Sequence, residues 1–136
     1  MKIIVDAMGG DLAPLAPVKG ALMAHEKYGA DIILAGRTEE ILRALQQCGC
    51  KDLPAGVEIV NAEEVVEICD DPATAFKRKK DSSLTVGLTM LRDGRADGFV
   101  CAGSTGALLA GATLVVKRIR GLRRAALAPV IPTAKG

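Results

Sequence analysis

The chain has little aromatic character: no tryptophan, one tyrosine and two phenylalanines in 136 residues. Tyr28, Phe76 and Phe99 are too few to build the base-stacking platforms of single-strand nucleic-acid binders, so the core has to be aliphatic. There is one histidine, His25, and the four cysteines at 48, 50, 69 and 101 do not form the C-x-x-C pairs of a structural zinc site. They read as the reduced thiols of a cytosolic protein, and no metal is expected. No apolar run approaches the ~20 residues of a membrane span. No basic-then-apolar leader precedes Lys2-Ile3-Ile4-Val5-Asp6, which points to the cytoplasm. Neither charge sign dominates: Lys+Arg total 18 and Asp+Glu 16, and the resulting +2 gives no argument for nucleic acid. What remains is an ordinary globular balance, 49% hydrophobic and 25% charged, with the length of one domain spanning residues 1–136.

Strand and helix signals alternate. Lys2 to Asp6 is a β-rich run. Pro14 suits a first helical turn, Leu15, Val18 and Leu22 recur at helical spacing, and Gly29 is a natural stop after Tyr28. Asp31 to Ala35 is a second strand closed by Gly36. Thr38 reads as a helix cap with the acidic first turn Glu39-Glu40, and Ile41, Leu42, Leu45 and Cys48 as the buried stripe of that helix. Val57 to Val60 is a third strand. Asn61 to Lys80 is a charged connection with one short helix from Pro72. Asp81-Ser82-Ser83 caps a helix carrying Leu84, Leu88 and Leu91, which ends at Asp93-Gly94. Asp97 to Cys101 is a fourth strand, Leu108 to Ile119 a helix, and Ala125 to Ile131 a fifth strand with no helix after it. This order predicts right-handed βαβ crossovers and a mostly parallel sheet covered on both faces. Ile3-Ile4-Val5 and Ile32-Ile33-Leu34 are continuous apolar runs, as buried parallel strands require. Ending on an uncovered strand, the domain reads as incomplete.

Ligands of such sheets bind outside the carboxyl ends of the strands. Three loops should meet there: Asp6 to Asp11, Gly36 to Thr38 and Ala102 to Gly106. In the first, Gly9-Gly10 permits a tight turn and close approach to a ligand. Asp6, at the end of a buried strand, is placed to orient a backbone amide, a lysine or a metal ion; the alternative is that Asp6 and Asp11 cap the turn and the next helix. The last, Ala102-Gly103-Ser104-Thr105-Gly106-Ala107, turns from a strand into a helix whose first N–H groups lack partners, the arrangement of an anion site. It is neither a dinucleotide fingerprint nor a P-loop. Its alternative reading is a small-residue helix start packed on the sheet, and Gly111 within the helix favours close packing there. Lys77 to Lys80 reads as a solvated face, except that Lys80 precedes Ser82 and Ser83 at a helix start, where a lysine, hydroxyls and amides can clamp an anion. Lys117, Arg118, Arg120, Arg123 and Arg124 form a second basic run, suited to an acidic partner or an anionic surface. His25 falls on an apolar helix stripe and reads as packed rather than catalytic.

These motifs together resemble the bacterial acyl-[acyl-carrier-protein]–phosphate acyltransferases, the PlsX family. The resemblance runs through Ile4-Val5-Asp6-Ala7-Met8-Gly9-Gly10-Asp11 with Pro14, Asp71-Pro72 and Arg78-Lys79-Lys80-Asp81-Ser82-Ser83. It continues through Ala96-Asp97-Gly98, Ala102 to Ala107 and Ala125-Ala126-Leu127-Ala128. It implies a three-layer α/β/α, Rossmann-like fold of the isopropylmalate dehydrogenase and phosphotransacetylase type. It also implies transfer of an acyl group from acyl carrier protein to inorganic phosphate for phospholipid synthesis, without a cofactor, by a homodimer. Family members are more than twice as long, so the chain matches an N-terminal portion. The part not matched would carry the rest of the active site and any peripheral association with the inner face of the membrane.

On this reading Lys80, Ser104 and Thr105 are catalytic. Asp6, Gly9, Gly10, Asp11, Ser82, Ser83, Gly103 and Gly106 bind phosphate or substrate. The family has asparagine where this chain has Ser104. Both cap helices, but serine lacks the paired donor and acceptor of an amide. Two other readings stay open on the residues alone: transfer from a coenzyme A thioester, as in phosphotransacetylases, and a non-catalytic anion- or nucleotide-binding module.

Overall fold

The computed structural model describes residues 1–67 and 69–130. Four strands, β1 (Lys2–Asp6), β2 (Asp31–Gly36), β3 (Val57–Asn61) and β4 (Gly98–Val100), form one sheet in the order β3-β2-β1-β4. Every pairing is parallel. The helices are α1 (Leu15–Tyr28), α2 (Thr38–Gln47), α3 (Pro72–Arg78), α4 (Ser83–Arg92) and α5 (Thr105–Gly111). The expected α/β class and parallel crossovers are therefore present.

Neighbouring residues of a strand face opposite sides of a sheet, and both sides of β1 and β2 are buried here. Val5, Ile32 and Leu34 pack with Val18 and Ala21 of α1 and Ile41, Ala44 and Leu45 of α2. Ile4, Ile33 and Ala35 pack on the other side with Met90 of α4 and with Phe99. A third cluster joins Phe76 of α3, Leu84 and Leu88 of α4 and Ala107 of α5. The chain adds β2 and β3 on one side of β1 and β4 on the other, so the strand order reverses at β1. The carboxyl ends of β1 and β4 flank the crevice this reversal creates, where open parallel sheets bind ligands.

Local signals explain most element ends. Gly29 stops α1 in the left-handed region at φ 61°, and its amide bonds back to His25 O. His25 Nδ1 pairs with Ala30 O at 2.8 Å, a packed role. Asn61, and not Thr38, caps α2: its Oδ1 accepts from the Thr38 amide at 3.1 Å and from the Thr38 hydroxyl at 2.8 Å. Of the stripe expected on α2, Leu42 is exposed and Ala44 takes its place in the core.

Two expectations at the carboxyl end differ. The helix expected over Leu108 to Ile119 begins at Thr105 and widens into a π-helical turn over Ala112–Val116. It ends at Lys117, whose φ of 74° leaves the helical region. Residues 125–130 of the expected fifth strand form no strand and are exposed, while Ile131 lies outside the described residues. Apolar content alone cannot make a strand there, because its backbone groups pair with no sheet edge. Among the described residues no helix is long and apolar enough to cross a membrane.

Glycine sets the spacing on the α4 side. A Cβ at Gly87 would collide with the Phe99 ring and approach Ile4 Cγ2 to 3.2 Å, and one at Gly111 would collide with the Phe76 ring. The close packing expected of Gly111 is thus present. Alanine at position 87 should gain the ~1 kcal/mol of helix propensity but lose about 1–3 kcal/mol to overpacking. Gly87→Ala is therefore expected to lower the urea midpoint. A raised midpoint would mean that the Phe99 ring has room to move.

Candidate functional site

The site forms where β1 and β4 run out side by side. Val5 pairs with Val100, so the same register carries Asp6 opposite Cys101. Asp6 is 4% exposed. Its Oδ1 accepts from the Met8 amide at 3.0 Å and its Oδ2 accepts from the Cys101 thiol at 3.2 Å. The Gly103 amide in turn donates to Cys101 Sγ at 3.3 Å. A continuous chain of contacts thus runs from the central strand into the second loop. Burial, with the Asp6 carboxylate beside it, pushes the Cys101 thiol up to about 12, so it stays protonated at neutral pH.

Glycines let these loops touch. A Cβ at Gly9 would stand 2.9 Å from Asp6 Oδ2, and 3.1 Å from both Cys101 Sγ and the Gly103 nitrogen. A Cβ at Gly103 would stand 3.2 Å from Gly9 Cα. Gly10 holds a φ of 109°, where side chains are strained, and faces the Ala102 carbonyl. Asp6, Gly9, Gly10 and Gly103 are therefore brought together. Asp11 is exposed at the outer end of the first loop. The Gly36–Thr38 loop borders the group through Met8, whose Cγ lies 2.8 Å from where a Gly36 Cβ would be.

Ser104 opens α5. Its Oγ accepts from the Ala107 amide at 3.3 Å, and its carbonyl accepts from the Leu108 amide at 3.0 Å. Thr105 and Gly106 follow, both exposed. Among the described residues their amides meet no acceptor. Two free N–H groups, the Thr105 hydroxyl and the positive end of the helix dipole thus face solvent beside the glycine contact.

The Lys80 to Ser83 segment is built differently. Ser82 is fully buried and caps α4: its Oγ accepts from the Thr85 amide at 3.2 Å and donates to Thr85 Oγ1 at 2.8 Å. Ser83, 1% exposed, donates its amide to Glu64 O at 3.2 Å. Lys79 ties this turn to the preceding loop through Val65 O at 2.7 Å and Asp70 Oδ2 at 2.5 Å. The ammonium beside Asp70 holds its carboxyl below the usual range. Lys80 projects from the turn and is exposed. The α4 and α5 starts share the Leu84–Ala107 cluster. Among the described residues no hydrogen bond joins Lys80, Ser82 or Ser83 to the 102–106 loop.

Sequence reasoning gave Cys101 no role, although it sits at the centre of the contact chain. The available signal was positional: a polar residue one step past β4 falls opposite Asp6 once the two strands are paired in parallel.

Comparison with known proteins agrees with the resemblance carried by these loops. The family model described as fatty acid synthesis protein matches residues 1–136. A phosphate acyltransferase of Pelotomaculum thermopropionicum is 49% identical over 136 residues, covering 100% of this chain and 39% of the relative. Those of Desulfitobacterium hafniense and Dictyoglomus turgidum are 47% and 45% identical, covering 100% and 98% of this chain. The chain spans about 40% of the length of these relatives. With the match running from end to end, the chain belongs to the fatty acid synthesis protein family.

Proposed function

We propose that this chain forms the phosphate-holding part of an acyltransferase that moves an acyl group from the thioester of acyl carrier protein to inorganic phosphate. The observation that carries this reading is the pair of free amides at Thr105 and Gly106, exposed beside the Gly9–Gly103 contact. The names of the relatives supply the reaction class.

Phosphate is already an anion at neutral pH. Its oxygen attacks the thioester carbonyl carbon, a C–O bond forms, and the C–S bond breaks. The carrier thiol leaves with the proton that the phosphate gives up, and acyl phosphate remains. This step asks for no protein nucleophile, only for placement and oxyanion stabilisation. The amides of Thr105 and Gly106 and the Thr105 hydroxyl serve those ends. The Ser104 hydroxyl can donate to the oxyanion while its lone pair caps α5. Lys80 is free to swing toward an anionic substrate. The buried Ser82 and Ser83 hold the α4 start in position, while Asp6, Gly9, Gly10 and Gly103 fix the loop backbone and Asp11 flanks it. The basic run from Lys117 to Arg124 suits an acidic carrier protein. Dimerisation and association with the inner face of the membrane belong to the same proposal.

In the full-length protein Thr105→Ala and Lys80→Ala are each expected to lower kcat/KM for acyl-phosphate formation by about 10- to 100-fold. Wild-type rates in both would sink the assignment. The thiol at Cys101 gives a second check. A folded-state pKa of about 12, against an ordinary 9.0, leaves little thiolate at any pH below it. Iodoacetamide at pH 8 should therefore alkylate exposed Cys69 roughly 100- to 1,000-fold faster than Cys101. Comparable rates would mean that Cys101 is an available nucleophile.

A further inference from the structure

Two cavities adjoin beneath the glycine loops. The upper, of about 410 Å³, is bordered by Gly9, Gly10, Asp11 and Ala16. The lower, also about 410 Å³, lies between α1 and the β1–β4 half of the sheet. Pro17 and Ala102 line both, so the two lie side by side. Ile3, Val5 and Ile32 floor the lower trench, and Gly20, Ala21 and Ala24 of α1 wall it. It is apolar throughout. Asp6 is the one acidic residue along it, and that carboxylate is engaged by the Met8 amide and the Cys101 thiol. A Cβ at Gly20 would meet no atom within 4 Å, so that wall position has room for a side chain. The trench follows β1 from Met1 to Asp6, about 17 Å at ~3.3 Å per residue. Its volume falls within the range of small-ligand pockets, roughly 300–1,000 Å³.

We propose that this trench takes the acyl chain of the donor, with the thioester at the Gly9–Gly10 and Ala102 loops and the methyl end toward Met1 and Tyr28. The inference rests on the acyl-transfer reading above. Three observations select an acyl chain as the occupant. The trench is long and mostly apolar, so it suits a flexible hydrocarbon and offers little to a polar ligand. Its upper end is bordered by Ala102, in the loop that leads to the Thr105 and Gly106 amides, so one extended substrate can reach from the trench toward them. The carboxylate of Asp6, the one charged side chain along it, is already hydrogen-bonded, so burying a chain there leaves that group paired. Each methylene buried should raise affinity about fourfold, so selectivity is expected to rise with chain length.

Gly20→Leu in the full-length protein tests this, because Gly20 lines the trench, a Cβ there meets no atom within 4 Å, and leucine improves helix propensity. A thermal melt confirms the fold. The expected result is at least a tenfold fall in the ratio of kcat/KM for a hexadecanoyl donor to that for a butanoyl donor. An unchanged ratio overturns the proposal. A second arm uses Gly20→Cys and a maleimide. Hexadecanoic acid should slow labelling at least fivefold, and butanoic acid at the same concentration should not. Labelling that is blocked with no fatty acid present would mean that polypeptide fills the trench, and equal effects of the two acids would mean that it binds no chain. Either result overturns the proposal. Loss of acyl-phosphate formation in the wild type with fatty-acid protection retained would remove the transfer reading and support the trench.

Discussion

A carboxylate buried at the end of the central strand dictates how the two site loops meet. Asp6 is removed from water, and among the described residues its two oxygens find the Met8 amide and the Cys101 thiol. Burying a carboxylate is costly unless hydrogen bonds offset the loss of water. Both loops are therefore drawn in around it, the first through its own backbone and the second through the sulfur. Once that happens there is no space for side chains at positions 9 and 103. The glycines that look like a generic flexible loop are a steric consequence of the charge beneath them. The free amides at the start of α5 follow in turn, because the Gly103 contact fixes where the helix can begin.

The fold was largely legible because its signals are local. The continuous apolar runs of β1 and β2 marked buried parallel strands, and Gly29 and Gly94 marked helix ends. What misled was the assumption that local signals suffice. Thr38 looks like a cap, yet Asn61, far along the chain, does the capping. Ala125 to Val130 looks like a strand, but its backbone pairs with no sheet edge in this structure. Both errors concern partners, which one-dimensional reading does not supply.

The site was legible in its parts and less so in their roles. Glycine spacing located the two loops, and the residues at the start of the 105–111 helix, Thr105 and Gly106, are exposed. Ser82 and Ser83, by contrast, read as ligand groups because hydroxyls at a helix start serve both purposes. In the structure both are buried, with 0% and 1% exposure, and Ser82 caps the helix start. Lys79 and Lys80 divide the same way, one committed to Asp70 and Val65 and the other facing solvent. Neighbouring lysines cannot be told apart until the direction of the helix before them is known.

Strand order carries a kinetic consequence. β1 pairs with β2 across a short stretch, Ile3 against Ile32, whereas Asp6 meets Cys101 across 95 residues. Closing the longer loop costs about 1 kcal/mol more entropy by the logarithmic rule. Contacts of such separation slow folding and tend to form after local ones. The β1–β2–β3 half can assemble early as a local unit, leaving the seam that holds the glycine loops among the last to close. The geometry around Thr105 and Gly106 would then report completed folding, because their amides are not arrayed until the most distant strands have met.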